Sequence, residues 1–103
     1  MSVSGKKKTS SGEAFGTKYR EKPRAIAEYL NDALSTNDPV HITKAIGDMV
    51  RAQGVTRFSQ KTRLDRTNLY RSFRGGIRPS FETILDVLIA LDIQLIAKPC
   101  AGV

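Results

Sequence analysis

The chain of 103 residues is poor in the residues that build metal and redox sites. It contains one cysteine, one histidine and no tryptophan. A lone cysteine, Cys100, excludes a disulfide within the chain and suits a reducing compartment. The lone His41 has no second histidine or cysteine nearby to complete a ligand set. We therefore expect no metal and no cofactor, and we interpret His41 as a surface or packing residue.

The residue combinations used by the common classes of enzyme are missing too. There is no serine–histidine–aspartate set and no pair of carboxylates within an apolar stretch. The pair Gly75-Gly76 lacks the flanking pattern of a phosphate-binding loop. The sequence therefore predicts no catalytic residues and a protein that is not an enzyme.

Long apolar runs are also absent. No stretch approaches the roughly 18 consecutive apolar residues of a membrane span, so we expect no membrane association. Lys6, Lys7 and Lys8 are not followed by the apolar segment of a secretory signal. These features predict a cytoplasmic protein.

Positive charge is abundant and unevenly distributed. The net charge is +7. Residues 1–24 have seven cations and two anions, and residues 57–78 have seven cations and one anion. The other two parts of the chain, 25–56 and 79–103, are each slightly acidic. Two separate basic regions indicate a polyanionic partner, such as nucleic acid, at those two places.

The second basic region has the pattern of two short helices joined by a tight turn. Val55, Phe58 and Thr62 share one face of a helix, and Leu69 and Phe73 share one face of the next. Asp65 is placed to cap the second helix, and Gly75-Gly76 to end it. This pattern predicts a helix-turn-helix motif.

The outer face of the second helix has side chains suited to DNA. Arginine can pair with guanine, and asparagine with adenine, while threonine and tyrosine can bind phosphate. A solvated surface would instead carry charges of both signs. We expect base contacts from Arg66, Thr67, Asn68 and Arg71, and phosphate contacts from Arg57, Lys61, Tyr70, Arg74 and Arg78.

The remaining chain divides into a tail, a helical domain and a short end. Residues 1–20 are rich in Ser, Gly and Lys and predict a disordered basic tail, either a plain flexible start or an arm that binds DNA or a protein. Residues 21–99 form the domain, with further helices expected near 23–35, 39–53 and 81–91, and residues 100–103 end the chain. Residues 93–97 predict a short strand, which either pairs with another molecule or folds back on the core.

The helix near 81–91 is apolar on more than one face, so a second molecule could cover part of it. Phe81, Ile84, Leu85, Leu88 and Leu91 form its core-facing stripe. The residues expected at a dimer or toxin interface are Val87, Ile89, Ile93 and Leu95.

Several of these motifs occur in the order found in one known family. They are Asp38-Pro39 followed by Ile42, Ala45-Ile46-Gly47, Gly54, the run from Leu64 to Tyr70, Pro79-Ser80-Phe81-Glu82-Thr83, and the ending Lys98-Pro99. Over about residues 24–99 the chain resembles addiction-module antidotes (antitoxins) of the HigA type, with a lambda-repressor-like (Cro/CI, Xre) DNA-binding domain. The resemblance implies an all-α, five-helix fold and a homodimer that represses its own operon and neutralises a small ribonuclease-like toxin.

Three positions depart from the family's pattern. Arg63 replaces the usual glycine of the turn, and Ser59 replaces the small residue, usually alanine, where the two helices touch. Arg57 replaces a glutamine that is common at the start of the first helix. The fold tolerates these changes, but the DNA sequence preferred by relatives does not carry over.

These expectations combine into one mechanism with open alternatives. Two copies place their 66–73 helices in successive major grooves, about 34 Å apart, over an inverted repeat in double-stranded DNA. The protein then acts in the cytoplasm, at the nucleoid. The alternatives are a stand-alone phage-type repressor and a protein-interaction module with only non-specific affinity for DNA.

Overall fold

The computed structural model describes residues 16–74 and 78–100, and this part of the chain is all-helical. Residues 16–19 form a helical turn, and five helices follow: α1 (Pro23–Leu34), α2 (Pro39–Gln53), α3 (Val55–Thr62), α4 (Arg66–Ser72) and α5 (Phe81–Ala90). The predicted all-α class is confirmed. Residues 1–15 of the predicted tail, the pair Gly75-Gly76 and residues 101–103 lie outside the described residues.

Three helices begin at the capping residues that the sequence indicates. Asp38 accepts a hydrogen bond from the backbone of Val40 at 3.0 Å. Asp65 accepts one from Asn68 at 2.9 Å, and Ser80 accepts one from Thr83 at 3.1 Å. Each cap satisfies a donor that the first helical turn leaves free, typically worth about 1 kcal/mol.

The core lies between α1, α2 and α5, and α3 and α4 each add aromatic or aliphatic side chains to it. Met49 of α2 and Val87 of α5 are completely buried, and Ile26 of α1 nearly so. Burial of a large apolar side chain stabilises a fold by roughly 1.5–3 kcal/mol. The contributions from the basic pair of helices are Phe58, Leu69 and Phe73.

The ordered core begins earlier than the predicted boundary at residue 20. Tyr19 is buried and packs edge-on against the ring of Tyr29, with the ring centroids 5.2 Å apart. Gln53 donates to the Tyr19 carbonyl at 3.1 Å and accepts from the Glu21 backbone at 2.9 Å. One aromatic ring and one buried amide thus hold residues 16–21 in place, which composition alone does not indicate.

The interface prediction is wrong for Val87, because α5 is rotated relative to the expected stripe. Val87 is buried within the chain, whereas Phe81, expected to face the core, is 67% exposed. Because this helix is apolar on more than one face, the spacing of its apolar residues does not determine which face is buried, and packing against the other helices does.

The expected strand at 93–97 is not formed within the described residues. A strand needs a neighbouring strand to bond with, and among the described residues the backbone of this segment makes one hydrogen bond, from the Ile93 N–H to the Leu88 carbonyl at the end of α5. Residues 93–98 instead run along α1, α2 and α5, and the Ile93 side chain packs against the core.

Candidate nucleic-acid interface

The connection between α3 and α4 is a tight turn without glycine. Arg63 takes a left-handed conformation with φ 67°, at a cost of roughly 1 kcal/mol. Its backbone N–H donates to the Ser59 carbonyl at 2.8 Å, and the Ser59 hydroxyl donates to the Leu64 carbonyl at 2.5 Å. The hydrogen bonds of Ser59 thus stabilise the turn and offset the unfavourable conformational energy of Arg63.

Close packing against α2 sets the position of α4. Leu69 and Phe73 anchor α4 in the core. On α2, a Cβ atom added to Gly47 would lie 2.9 Å from Cβ of Phe73, closer than real Cβ contacts allow. Because Cβ of Phe73 cannot rotate away, only glycine at position 47 permits this approach of the two helices.

The face of α4 opposite this anchor is exposed and polar. It carries all the residues expected to contact bases, together with one aromatic residue: Arg66, Thr67, Asn68, Tyr70 and Arg71. The side chains of Thr67, Asn68 and Arg71 make no hydrogen bond or ion pair with any other described residue. Their donors are therefore available to a ligand.

Arg66 differs from its neighbours because it already has a partner. Its Nη1 donates to the hydroxyl of Thr56, at the start of α3, at 2.9 Å. A guanidinium has five N–H donors, so several remain free. The contact holds the side chain across the N-terminal ends of the two helices.

The residues expected to contact phosphate are all exposed, but one of them already forms an ion pair within the chain. Arg57 forms an ion pair with Glu21 at 3.4 Å, between side chains that are both more than half exposed. Lys61, Arg74 and Arg78 have no partner of this kind among the described residues. The ion pair of Arg57 could not be predicted from local sequence patterns, because Glu21 lies 36 residues earlier in the chain.

The electrostatics of the α3–α4 surface are nearly one-signed. Between Val55 and Arg74 there is one carboxylate, Asp65, and its oxygen caps α4. The remaining charged residues are Arg57, Lys61, Arg63, Arg66, Arg71 and Arg74. Exposed guanidinium and amide groups on a short, firmly anchored helix can bind phosphates and the edges of bases.

A separate polar cluster joins α1 to α2. Asp48 accepts hydrogen bonds from the Tyr29 hydroxyl at 2.8 Å, from Arg51 at 2.7 Å and from Lys44 at 3.3 Å. Burial raises the pKa of the Asp48 carboxyl, but these hydrogen bonds outweigh burial and the pKa lies below its usual value. Burial, followed by the bond to Asp48, raises the pKa of Tyr29 to about 12. Because its contacts join α1 to α2, we expect the cluster to contribute to stability.

An apolar groove of about 550 Å³ lies away from α3 and α4. Residues of α1, α2 and α5 and of the segment 93–98 line it, and no residue of α3 or α4 does. Of the residues expected at an interface, Ile89 is 70% exposed, Leu95 is 39% exposed and Ile93 is half-buried.

Among the described residues no helix is both long and apolar enough to cross a membrane, and no three His, Cys, Asp or Glu side chains cluster as metal ligands would.

Comparison with known proteins gives one family and one relative. Residues 13–99 match the model of a family described as probable addiction module antidote proteins. The chain is 32% identical over 69 residues to an uncharacterized protein of Haemophilus influenzae, covering 67% of this chain and 71% of that protein. No solved structure matches significantly. An antidote acts on a toxin, so the family implies a toxin partner. The chain belongs to the family of probable addiction module antidote proteins.

Proposed function

We propose that this antidote is also a sequence-specific DNA-binding repressor, and that α3 and α4 are its helix-turn-helix motif. The observation that carries the proposal is the outer face of α4. There Thr67, Asn68 and Arg71 are exposed and unpaired on a helix that Leu69 and Phe73 anchor in the core. Packing does not require these polar residues, whereas reading base edges does.

The proposed role of each side chain follows from its position on the surface and from the hydrogen-bonding or charged groups that it carries. Arg66, Thr67, Asn68 and Arg71 contact bases. Phosphate contacts come from Arg57, Lys61, Tyr70, Arg74 and Arg78, and these fix the register of the protein on the duplex. If about four cations per subunit meet phosphate, the logarithm of the binding constant falls against the logarithm of salt concentration with a slope of about −7 for a dimer.

The proposed complex is a homodimer on an inverted repeat. Its five helices adopt the lambda-repressor-like arrangement, and each copy places α4 in a major groove about 34 Å from the other. Repression follows from occupation of the promoter and needs no catalysis. The protein would therefore act in the cytoplasm, at nucleoid DNA.

The repressor and antidote roles fit one molecule. The family implies a toxin, and we propose a HigA-type operon in which a neighbouring gene encodes a small ribonuclease-like toxin. The basic surface of α3 and α4 binds the operator, which leaves the apolar groove, lined by no residue of α3 or α4, for protein partners. The chain then controls its own promoter as well as the toxin.

Nuclease footprinting of the DNA upstream of the gene tests the DNA-binding proposal. We expect two protected half-sites with centres one helical turn apart, about 34 Å. Protection spread evenly along the fragment would indicate phosphate affinity without sequence recognition. Coexpression with the neighbouring gene tests the toxin partner independently, since neutralisation does not require an operator.

A further inference from the structure

The segment that follows α5 leaves an unpaired stretch of backbone at the surface. Residues 93–98 contain neither a helix nor a turn, and none of them has the positive φ that would prevent an extended strand. Ile93 donates its backbone N–H to the Leu88 carbonyl at 2.8 Å. Within the described part of the chain, no hydrogen bond reaches the backbone of residues 94–98. Such an edge is a template for pairing with another strand.

Apolar side chains surround this edge. Ile96 is 78% exposed and Leu95 is 39% exposed. Both line the apolar groove, together with Phe81, which is 67% exposed. Contiguous exposed apolar surface of this kind marks a place where another molecule binds.

We propose that a second copy of this chain is the molecule that binds there. The two copies pair residues 93–97 antiparallel about a two-fold axis at Leu95. Each Leu95 then faces its own equivalent, and Ile93 faces Ala97 of the second copy. The inference rests on the proposed function in one respect. An inverted-repeat operator requires a dimer, and this pairing supplies it.

Charge complementarity favours a second copy and sets this register. Asp92 and Lys98 flank the segment, both are exposed, and neither forms an ion pair within the described residues. Asp92 belongs to the turn before the segment, with φ 69°, so it is not itself a strand position. An axis at Leu95 nevertheless brings this turn to the end of the ladder where Lys98 of the other copy lies. The symmetry therefore produces the same ion pair twice, as a self-complementary interface requires.

The existing hydrogen bond of Ile93 determines which backbone groups pair. Because the Ile93 N–H is already bound to Leu88, Ile93 is a non-hydrogen-bonded position of the ladder. Gln94 and Ile96 then exchange their backbone hydrogen bonds with Ile96 and Gln94 of the second copy. Leu95 becomes a non-hydrogen-bonded pair, in which the two Cα atoms lie about 4.5 Å apart.

Cysteine cross-linking in the full chain tests this register. With Cys100→Ser as the background, Leu95→Cys is allowed to oxidise in a glutathione buffer, and the product is resolved on a non-reducing gel. The spacing expected at position 95 lies within the range of a disulfide. We expect Leu95→Cys to give nearly complete covalent dimer, at about ten times the yield of the control.

The matched control is Ile96→Cys in the same background. Position 96 is the more exposed, so random collision would favour its cross-linking. In the proposed register, residue 96 of one copy and residue 96 of the other are diagonal neighbours. Their Cα atoms lie beyond the roughly 7 Å limit for a disulfide. Equal cross-linking at both positions, or more at 96, would overturn the proposal.

Sedimentation of the unmodified chain without DNA gives a second, independent answer. We expect a species of twice the chain mass of 11.4 kDa under reducing conditions. Lys98→Glu should weaken the dimer about tenfold and Lys98→Gln less, because glutamate faces Asp92. A monomer at about 100 µM, or a dimer insensitive to Lys98→Glu, would overturn the proposal, whatever footprinting shows.

Discussion

Arg66 and Thr56 join the N-terminal ends of α4 and α3 through a 2.9 Å hydrogen bond between guanidinium and hydroxyl. The bond holds the arginine before any DNA is present. A side chain held in its binding orientation loses less freedom when it binds, so under the proposed function we expect Thr56 to raise affinity for the operator by positioning Arg66. This role concerns base recognition and not charge.

Thr56→Ala tests this positioning role. Loss of one hydrogen bond to a charged group, about 1 kcal/mol, should lower operator affinity about fivefold. Affinity for unrelated DNA should stay the same, because the net charge is unchanged. Thr56→Ser keeps the hydroxyl and is the control. If Ser and Ala variants lose operator affinity equally, Thr56 does not act through Arg66.

Glu21→Gln should strengthen binding to DNA of any sequence. The Glu21 carboxylate pairs with Arg57 and would compete with a phosphate for it. Both side chains are well exposed, so the gain should be only about two- to fivefold. The control Glu28→Gln removes the same charge from an exposed position on α1. Equal gains in the two variants would show that net charge alone is responsible.

The Asp48 cluster should make stability sensitive to acid. The pKa of Asp48 is lowered in the fold, so its ionised form stabilises the protein above about pH 4, and this contribution is lost as pH falls through the folded value. Asp48→Asn should destabilise the fold by about 2 kcal/mol at pH 7, and it should lose less stability than the unmodified chain as the pH falls below about 4. Urea unfolding at each pH measures both effects. Parallel stability curves for the two proteins would contradict this account.

Gln53 should be essential to the order of residues 16–21. It is the buried polar side chain that bonds the backbone of Tyr19 and Glu21. Gln53→Met fills the same space but leaves those backbone groups unpaired, at a cost of about 2 kcal/mol. Gln60→Met, on the exposed face of α3, should cost less than about 0.5 kcal/mol. Urea unfolding measures the free energy of unfolding of both variants. Proteolysis after Lys18 or Arg20 reports on the order of residues 16–21 alone.

Local chemistry allowed the helices to be predicted from sequence. Asp38, Asp65 and Ser80 are capping residues that precede apolar repeats, and the structure begins a helix after each of them. Capping depends on residues two or three positions apart, so a sequence displays it directly. The family usually has glycine at the position of Arg63, and in the structure Arg63 adopts a left-handed conformation with φ 67°, which glycine adopts at the least cost.

Contacts between distant residues were not predictable in the same way. Nothing in the sequence indicates that Glu21 meets Arg57, that Thr56 meets Arg66, or that Gln53 holds Tyr19. The rotation of α5, which buries Val87 and exposes Phe81, depends on the shape of the whole core. The residues expected to read bases were placed on one exposed face of α4, but their roles remain predictions.

Fluorescence anisotropy with Arg71→Ala tests the central claim most directly. The ratio of affinities for the upstream DNA and for unrelated DNA is measured for the unmodified chain, for Arg71→Ala and for Arg24→Ala. Arg24 is exposed on α1, so both variants lose one positive charge at a helix surface. We expect a ratio of about 1000 for the unmodified chain, a fall of about tenfold or more for Arg71→Ala, and little change for Arg24→Ala. A ratio near one for the unmodified chain, or equal losses in the two variants, would contradict sequence recognition by α4.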